Sequence, residues 1–141
     1  MRASEVKSKI VTAIEGTTID AKVSHMDVFK HLDMGQRPLE SARERLFSVM
    51  LRTVPMRARQ LITQDNYVAT WDVQVFYRDA PSVDDRITED CERITRSLEA
   101  LPGLYADLST IDVSGGSIME LDGFLQVILS VAVNYRLTSG V

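Results

Sequence analysis

Two histidines, His25 and His31, each stand close to an aspartate in the sequence. Imidazole and carboxylate groups are common zinc ligands. A helical ligand pair is spaced four residues apart, however, so imidazoles six residues apart would lie on different faces of a helix. We therefore expect both histidines to lie in packing or surface positions, and the sequence predicts no metal site.

Two further side chains could carry acid–base or nucleophilic chemistry. Asp72 could act as a general acid or base, but it has no second carboxylate beside it, and a solvent-facing strand position is the favoured interpretation. Cys91 is the only cysteine, and on an apolar stripe we expect a small buried hydrophobic residue rather than a reactive thiol. No phosphate loop or nucleophile elbow is present. The sequence predicts no catalytic residues and no cofactor, and we expect a protein that is not an enzyme.

Three aromatic residues, Tyr67, Trp71 and Tyr77, fall on one face of a predicted strand. Such an arrangement could stack nucleic-acid bases. The same face carries Ala69 and Val73, and the chain has a net charge of −4. Core packing is therefore the preferred interpretation.

The elements that position these residues follow from the apolar periodicity. Alternation of apolar and polar residues, which is typical of strands, predicts strands over 45–54, 67–78, 108–121 and 124–137, with a bend or bulge at Gly115-Gly116 and a hairpin turn at Asp122-Gly123. In the first strand Leu51 is expected on the apolar face, and Pro55 is expected to end the strand because it lacks an N–H donor. A long Arg-bearing connection from Pro55 to Asn66 follows.

Helical spacing of apolar residues predicts a first helix capped by Ser4 and running through Ile14, and a second helix after Ser82. Asp85, three residues after Ser82, suggests a capping box. The polar face of the second helix is expected to include Asp90. Residues 17–37 give no clear pattern: Thr18 could begin a short strand, and 26–32 could form a helical turn or an irregular loop.

This order of elements favours an α+β fold, with an antiparallel or mixed sheet of about four strands and helices packed on one face. The length of 141 residues suits a single domain spanning residues 1–141. No signal peptide or membrane-spanning segment is expected, so synthesis in the cytoplasm is the default.

Charge is distributed unevenly along the chain. Six arginines stand against two glutamates between Arg37 and Arg59, whereas 5 basic and 13 acidic residues follow from Gln60 onward. Opposite charges could attract two copies of the chain to each other, although two solvated faces are an equally good explanation. The candidate residues for such a subunit interface are Arg43, Arg45, Arg52, Arg57, Arg59, Asp85, Glu89, Glu92, Arg96 and Glu99.

The sequence resembles the tail terminator, or tail completion, proteins of long-tailed bacteriophages. The resemblance covers most of the chain: the first helix, the Arg45-Leu46-Phe47 strand followed by Pro55, the strand 73–78, the acidic amphipathic helix, and the Asp122-Gly123 turn into a strand ending at 133–136. It rests on length, order and texture rather than on a signature motif.

The resemblance implies a structural virion protein without enzyme activity. Proteins of this family form a ring, commonly a hexamer, that caps the tail tube, ends its polymerisation and provides the surface that joins the head. The implied partners are other copies of the chain, the tail tube protein and a head-completion or connector protein, while DNA passes through the ring without sequence-specific recognition. The implied location is the head-proximal end of the tail, after assembly in the host cytoplasm. A neck protein and a small ligand-binding regulatory domain remain the alternatives.

Overall fold

A computed structural model of the protein describes residues 1–17, 29–31, 45–57, 66–79, 81–121 and 123–137. The elements in chain order are α1 (Ala3–Glu15), β1 (Phe29–His31), β2 (Arg45–Arg57), β3 (Asn66–Arg78), α2 (Val83–Glu99), α3 (Leu101–Leu104), β4 (Leu108–Leu121) and β5 (Phe124–Arg136). A mainly antiparallel sheet combined with helices confirms the α+β class.

The described strands form one sheet in the order β1-β2-β3-β5-β4. The four long strands are antiparallel to their neighbours. The short β1 runs parallel to the start of β2, so the sheet is mixed. The prediction of a helical turn or irregular loop at 26–32 is wrong for Phe29–His31, where a buried Phe29 and strand pairing outweigh the weak local pattern. Thr18 lies outside the described residues.

The core lies between one face of the sheet and the helix layer. Alternate residues of β3 and β5 point toward the helices, and Val73, Val131 and Val133 are fully buried there. They join one cluster with Ile10 of α1 and Ile94 of α2. The period-two and helical patterns in the sequence therefore predicted the two surfaces that meet in the core.

The end of β2 differs from its prediction. The strand continues through Pro55 to Arg57, and its register with β3 shifts between Leu51 and Thr53 and again between Thr53 and Met56. A register irregularity lets a proline lie in an outer strand without a missing ladder hydrogen bond. Leu51, expected on the buried face, is half exposed. The remaining connection, residues 58–65, lies outside the described residues.

Ser82 holds the N-cap position predicted for it and Ser4 does not, and neither cap position has the expected side-chain hydrogen bond. Helix α1 begins at Ala3, and Arg2 takes the cap position without a side-chain hydrogen bond, so Ser4 lies already inside the first turn. Ser82 precedes α2 with φ 64° and makes no capping hydrogen bond. A capping side chain normally requires an extended backbone, so the left-handed backbone at Ser82 prevents the predicted capping box with Asp85.

Glycines shape the hairpin formed by β4 and β5. Strand β4 is continuous, but its register shifts between Gly115 and Ile118, which confirms the predicted irregularity. A Cβ atom at Gly116 would collide with the backbone carbonyl oxygen of Ile128. Gly123 has φ 80°, as expected at the turn; its predicted partner Asp122 lies outside the described residues.

Candidate functional site

An acidic stripe runs along the outer side of α2. All five of its candidate residues are exposed, and they are spaced four, three, four and three residues apart, which places them on one helix face: Asp85, Glu89, Glu92, Arg96 and Glu99. One arginine of this helix outside the stripe, Arg93, lies 4.0 Å from Glu89. The stripe consists of those five residues and carries four carboxylates and one guanidinium.

The apolar residues of α2 fix the direction of this stripe. Val83, Ile87, Ile94 and Leu98 are buried against the rest of the core, so the opposite side of the helix must face outward. Helix α2 contacts β3 and β4, while α1 contacts β1 and β2. The acidic stripe therefore lies toward the β4 side of the helix layer.

A basic edge, Arg52 and Arg57, lies on β2 at the other lateral side of the sheet. Both side chains are exposed. Arg52 Nη1 lies 3.3 Å from Asp72 Oδ1. Asp72 belongs to β3, which pairs with β2, and its side chain lies on the sheet face that points away from the helices. The contact therefore places the Arg52 side chain on the same face. Ion pairs as exposed as this one add little to stability.

The remaining arginine candidates cannot be placed on this edge. Arg45 begins β2, but its side chain lies outside the described part of the structure. Arg43 and Arg59 also lie outside the described residues. The structure therefore supplies two arginines on one side of the sheet and the acidic stripe on the other, and it does not bring the two sets together within one subunit.

Exposed apolar side chains accompany the basic edge. Val54 and Met56 are 72% and 68% exposed, and Met50 is half exposed. On β4, at the opposite lateral side of the sheet, Ile118 is 58% exposed and Met119 is 47% exposed. The sequence pattern did not identify these residues, because alternation shows which strand faces are apolar but not which strands lie at the outside of the sheet.

A buried hydrogen bond was also missed from the sequence. The Tyr77 hydroxyl donates to Asp90 Oδ2 at 2.9 Å, and Asp90 is only 1% exposed. The prediction that Asp90 lies on the solvent face of α2 is wrong, because the helix turns this carboxylate inward toward β3. Its tyrosine partner lies in a core otherwise formed by apolar residues, which leaves no local sequence signal.

The isolated chemical candidates lie in structural positions. Asp72 is a partly exposed strand residue that contacts Arg52, which agrees with the strand position favoured from the sequence. Cys91 is only half buried, and burial, followed by the nearby charge of Asp90, raises the pKa of its thiol to about 11. His31 contacts the ring of Phe47 at 5.3 Å between centroids, and His25 lies outside the described residues. Trp71 and Tyr77 are buried in the core, which favours packing over base stacking.

Two other kinds of feature are absent from the part of the chain that the structure describes. It holds no group of three or more histidine, cysteine or acidic side chains arranged to bind a metal ion. Among the described helices, none combines the length and apolarity needed to cross a membrane.

No protein-family model matches this sequence, and no curated protein matches it.

Proposed function

We propose that this protein is a non-enzymatic virion subunit that assembles into a closed ring, caps the tail tube of a long-tailed phage and provides the surface for head joining. The resemblance described above supplies the family. The observation that carries the proposal is the placement of opposite charge in different parts of the subunit: the basic edge lies on β2, and the acidic stripe lies on the outside of α2, which packs over β3 and β4.

A ring needs a heterologous contact, in which two different patches on each subunit complement each other. In a ring, each copy turns one patch toward the preceding neighbour and the other patch toward the following neighbour. The two patches must therefore face in different directions on the subunit. Here the basic edge lies on β2 and the helix that carries the acidic stripe packs toward β4, so each subunit can turn one patch toward each neighbour. Such charges steer association and fix its register more than they supply affinity.

The capping role follows from closure. A closed ring that binds the last ring of a tube through one face leaves a different face outward, and this second face does not repeat the tube surface. Tube growth then stops, and a head-completion protein can bind the outward face. DNA passes through the opening, and the negative net charge of the chain suits passage rather than tight binding of DNA.

The experiment adds purified protein to tail tubes that are still able to grow, and follows tube length and tube ends by electron microscopy. We expect a ring at one end and no further growth there. Simultaneous reversal of Arg52→Glu and Arg57→Glu should weaken ring formation, and about 1 M salt, which shortens the screening length to about 3 Å, should do the same.

The matched control reverses two exposed charges at the start of the chain, Arg2→Glu and Lys7→Glu, which changes the net charge equally but alters neither patch. This control should assemble normally. Protein that never forms a ring on tubes contradicts the terminator function, and a ring that binds heads but ignores tubes favours a neck protein. Normal assembly of the basic-edge variant shows that the charged patches are not the interface.

A further inference from the structure

We propose that neighbouring subunits join edge to edge, with β4 of one copy adding as an antiparallel strand to β2 of the next, so that one sheet continues around the ring. The inference deepens the proposed function by naming the ring contact, and it rests on that function for the ring itself. The partner is a second copy of this chain.

Within the described part of the chain, the sheet has two open edges at the same height. Among the described residues, β1 pairs with β2 only from Arg45 to Phe47, so the rest of β2 has a neighbour on one side only. Strand β4 lies at the other end of the sheet order. Unpaired backbone N–H and C=O groups along such edges form a template for another strand.

The two edges also match in register. Met50 pairs with Asp72, Asp72 with Ser130, and Ser130 with Ser114, so Met50 and Ser114 lie at one level across the sheet. Strand β2 is regular up to Leu51, and β4 is regular from Thr110 to Gly115. The two edges therefore offer regular segments at matching heights, ready to pair when a copy is placed alongside.

The directions of the two edge strands also suit this junction. Each long strand is antiparallel to its neighbour in the order β2-β3-β5-β4, so β2 and β4 run in opposite directions within one subunit. If a second copy is placed beside the first and is related to it by rotation about an axis along the strands, its strands keep their directions. Its β4 then lies antiparallel to β2 of the first copy. Repetition of one orientation is what a heterologous ring contact requires.

The charges of the two edges are complementary, and β2 has apolar surface to cover. Between Ser48 and Arg57, β2 carries Arg52 and Arg57 and no acid, whereas β4 carries Asp112 and Glu120 and no base. Asp112 pairs with Ala132 at the level of Thr53, one residue from Arg52. The half-exposed Met50 would be covered at the junction, together with its exposed neighbours on β2.

A disulfide tests the contact directly. In a Cys91→Ala background, the double variant Met50→Cys with Ser114→Cys places both thiols on the sheet face that points away from the helices. Within one chain the two positions are three strand spacings apart, about 14 Å, which is beyond the reach of a disulfide. Across the proposed junction they face each other at about 4.5 to 5.5 Å between Cα atoms.

We expect mild oxidation to give a ladder of covalent oligomers on a non-reducing gel, ending at the ring size found by light scattering. The control is Met50→Cys with Met119→Cys: Met119 is also exposed, but it lies four residues along the sheet, at the level of Phe76, about 13 Å away. This control should remain uncrosslinked, as should each single variant.

Protein that stays monomeric up to its highest soluble concentration, or that assembles without forming the Met50–Ser114 crosslink, overturns the inference. Preferential crosslinking of the control pair overturns the aligned register. A crosslinked ring that does not cap tail tubes leaves the edge contact standing and refutes the terminator function, so the two failures are distinguishable.

Discussion

The hydrogen bond between Tyr77 and Asp90 should stabilise the packing of α2 on the sheet. The change Tyr77→Phe removes the hydroxyl that lies 2.9 Å from Asp90 Oδ2 and leaves the aromatic ring in place. Both residues are only 1% exposed, so water cannot take the place of the lost donor. A hydrogen bond to a carboxylate contributes about 1.5 to 3 kcal/mol, and the free energy of unfolding should fall by about that amount.

Urea unfolding measures this change. With a slope of about 2 kcal/mol per M, the midpoint should move down by about 1 M while the slope stays constant. The matched control is Tyr135→Phe. Tyr135 is also buried, but the structure gives its hydroxyl no hydrogen-bond partner among the described residues. Its free energy of unfolding should change by less than about 0.5 kcal/mol.

A double-mutant cycle with Asp90→Asn separates this bond from the other contacts of the two residues. In the Asp90→Asn background an uncharged amide replaces the carboxylate, so Tyr77→Phe should lower the free energy of unfolding much less than it does in the wild-type protein. The coupling energy should be about 1 kcal/mol or more. Additive changes, or a Tyr77→Phe variant as stable as the control, would refute the reasoning.

Three further outcomes are expected. Leu129→Ala should lower the free energy of unfolding by about 2 to 5 kcal/mol, because Leu129 is buried at the centre of β5; a loss typical of surface positions would contradict its core placement. Gly116→Ala should destabilise the protein in urea, because the new methyl group collides with the Ile128 carbonyl, whereas Gly115→Ala finds open space; equal effects would contradict the close approach. Cys91 should react with iodoacetamide at pH 8 about 100-fold more slowly than a solvent-exposed thiol with the ordinary pKa of 9.0, because burial raises the pKa of Cys91 to about 11; unfolding in urea should restore the rate, and a fast reaction in the native protein would contradict the shift.

The raised pKa of Cys91 also makes the free energy of unfolding depend on pH. Between pH 9.0 and about 11 the unfolded thiol releases its proton before the folded one does. The unfolded state then binds fewer protons, so this group makes the free energy of unfolding fall as pH rises through that window. Below pH 9.0 the group contributes no pH dependence.

Much of the fold could be predicted because a few patterns repeat over many residues. The alternation in β3 and β5 persists for most of each strand, and one wrong residue does not change the face that is buried. The apolar spacing in α2 identified the same side of the helix that the structure buries. Predictions that depended on one residue were less successful: Ser4 is not the cap of α1, since helix ends are hard to place to within a residue, and Ser82 caps α2 without the expected side-chain hydrogen bond.

The same contrast between repeated patterns and single residues applies to the candidate surfaces. Helical spacing correctly placed four residues of the acidic stripe on the outside of α2, opposite the buried face: Glu89, Glu92, Arg96 and Glu99. It could not exclude Asp90 from that side, because the hydroxyl that binds this carboxylate comes from a distant strand. Nor could it find the open edges: strand order depends on which strands pair, and periodicity within a strand contains no information on its neighbours.

The open edge of β2 also contains features that limit pairing. Pro55 and the two register shifts beyond Leu51 interrupt the ladder, and such devices keep edge strands from pairing without limit. A heterologous contact that does not close yields a filament, whereas one that closes yields a ring. An edge that is regular only as far as Leu51, next to arginines that select an acidic partner, favours a short and oriented junction. The rotation between copies joined in this way, rather than the length of the junction, then decides whether they close into the proposed ring.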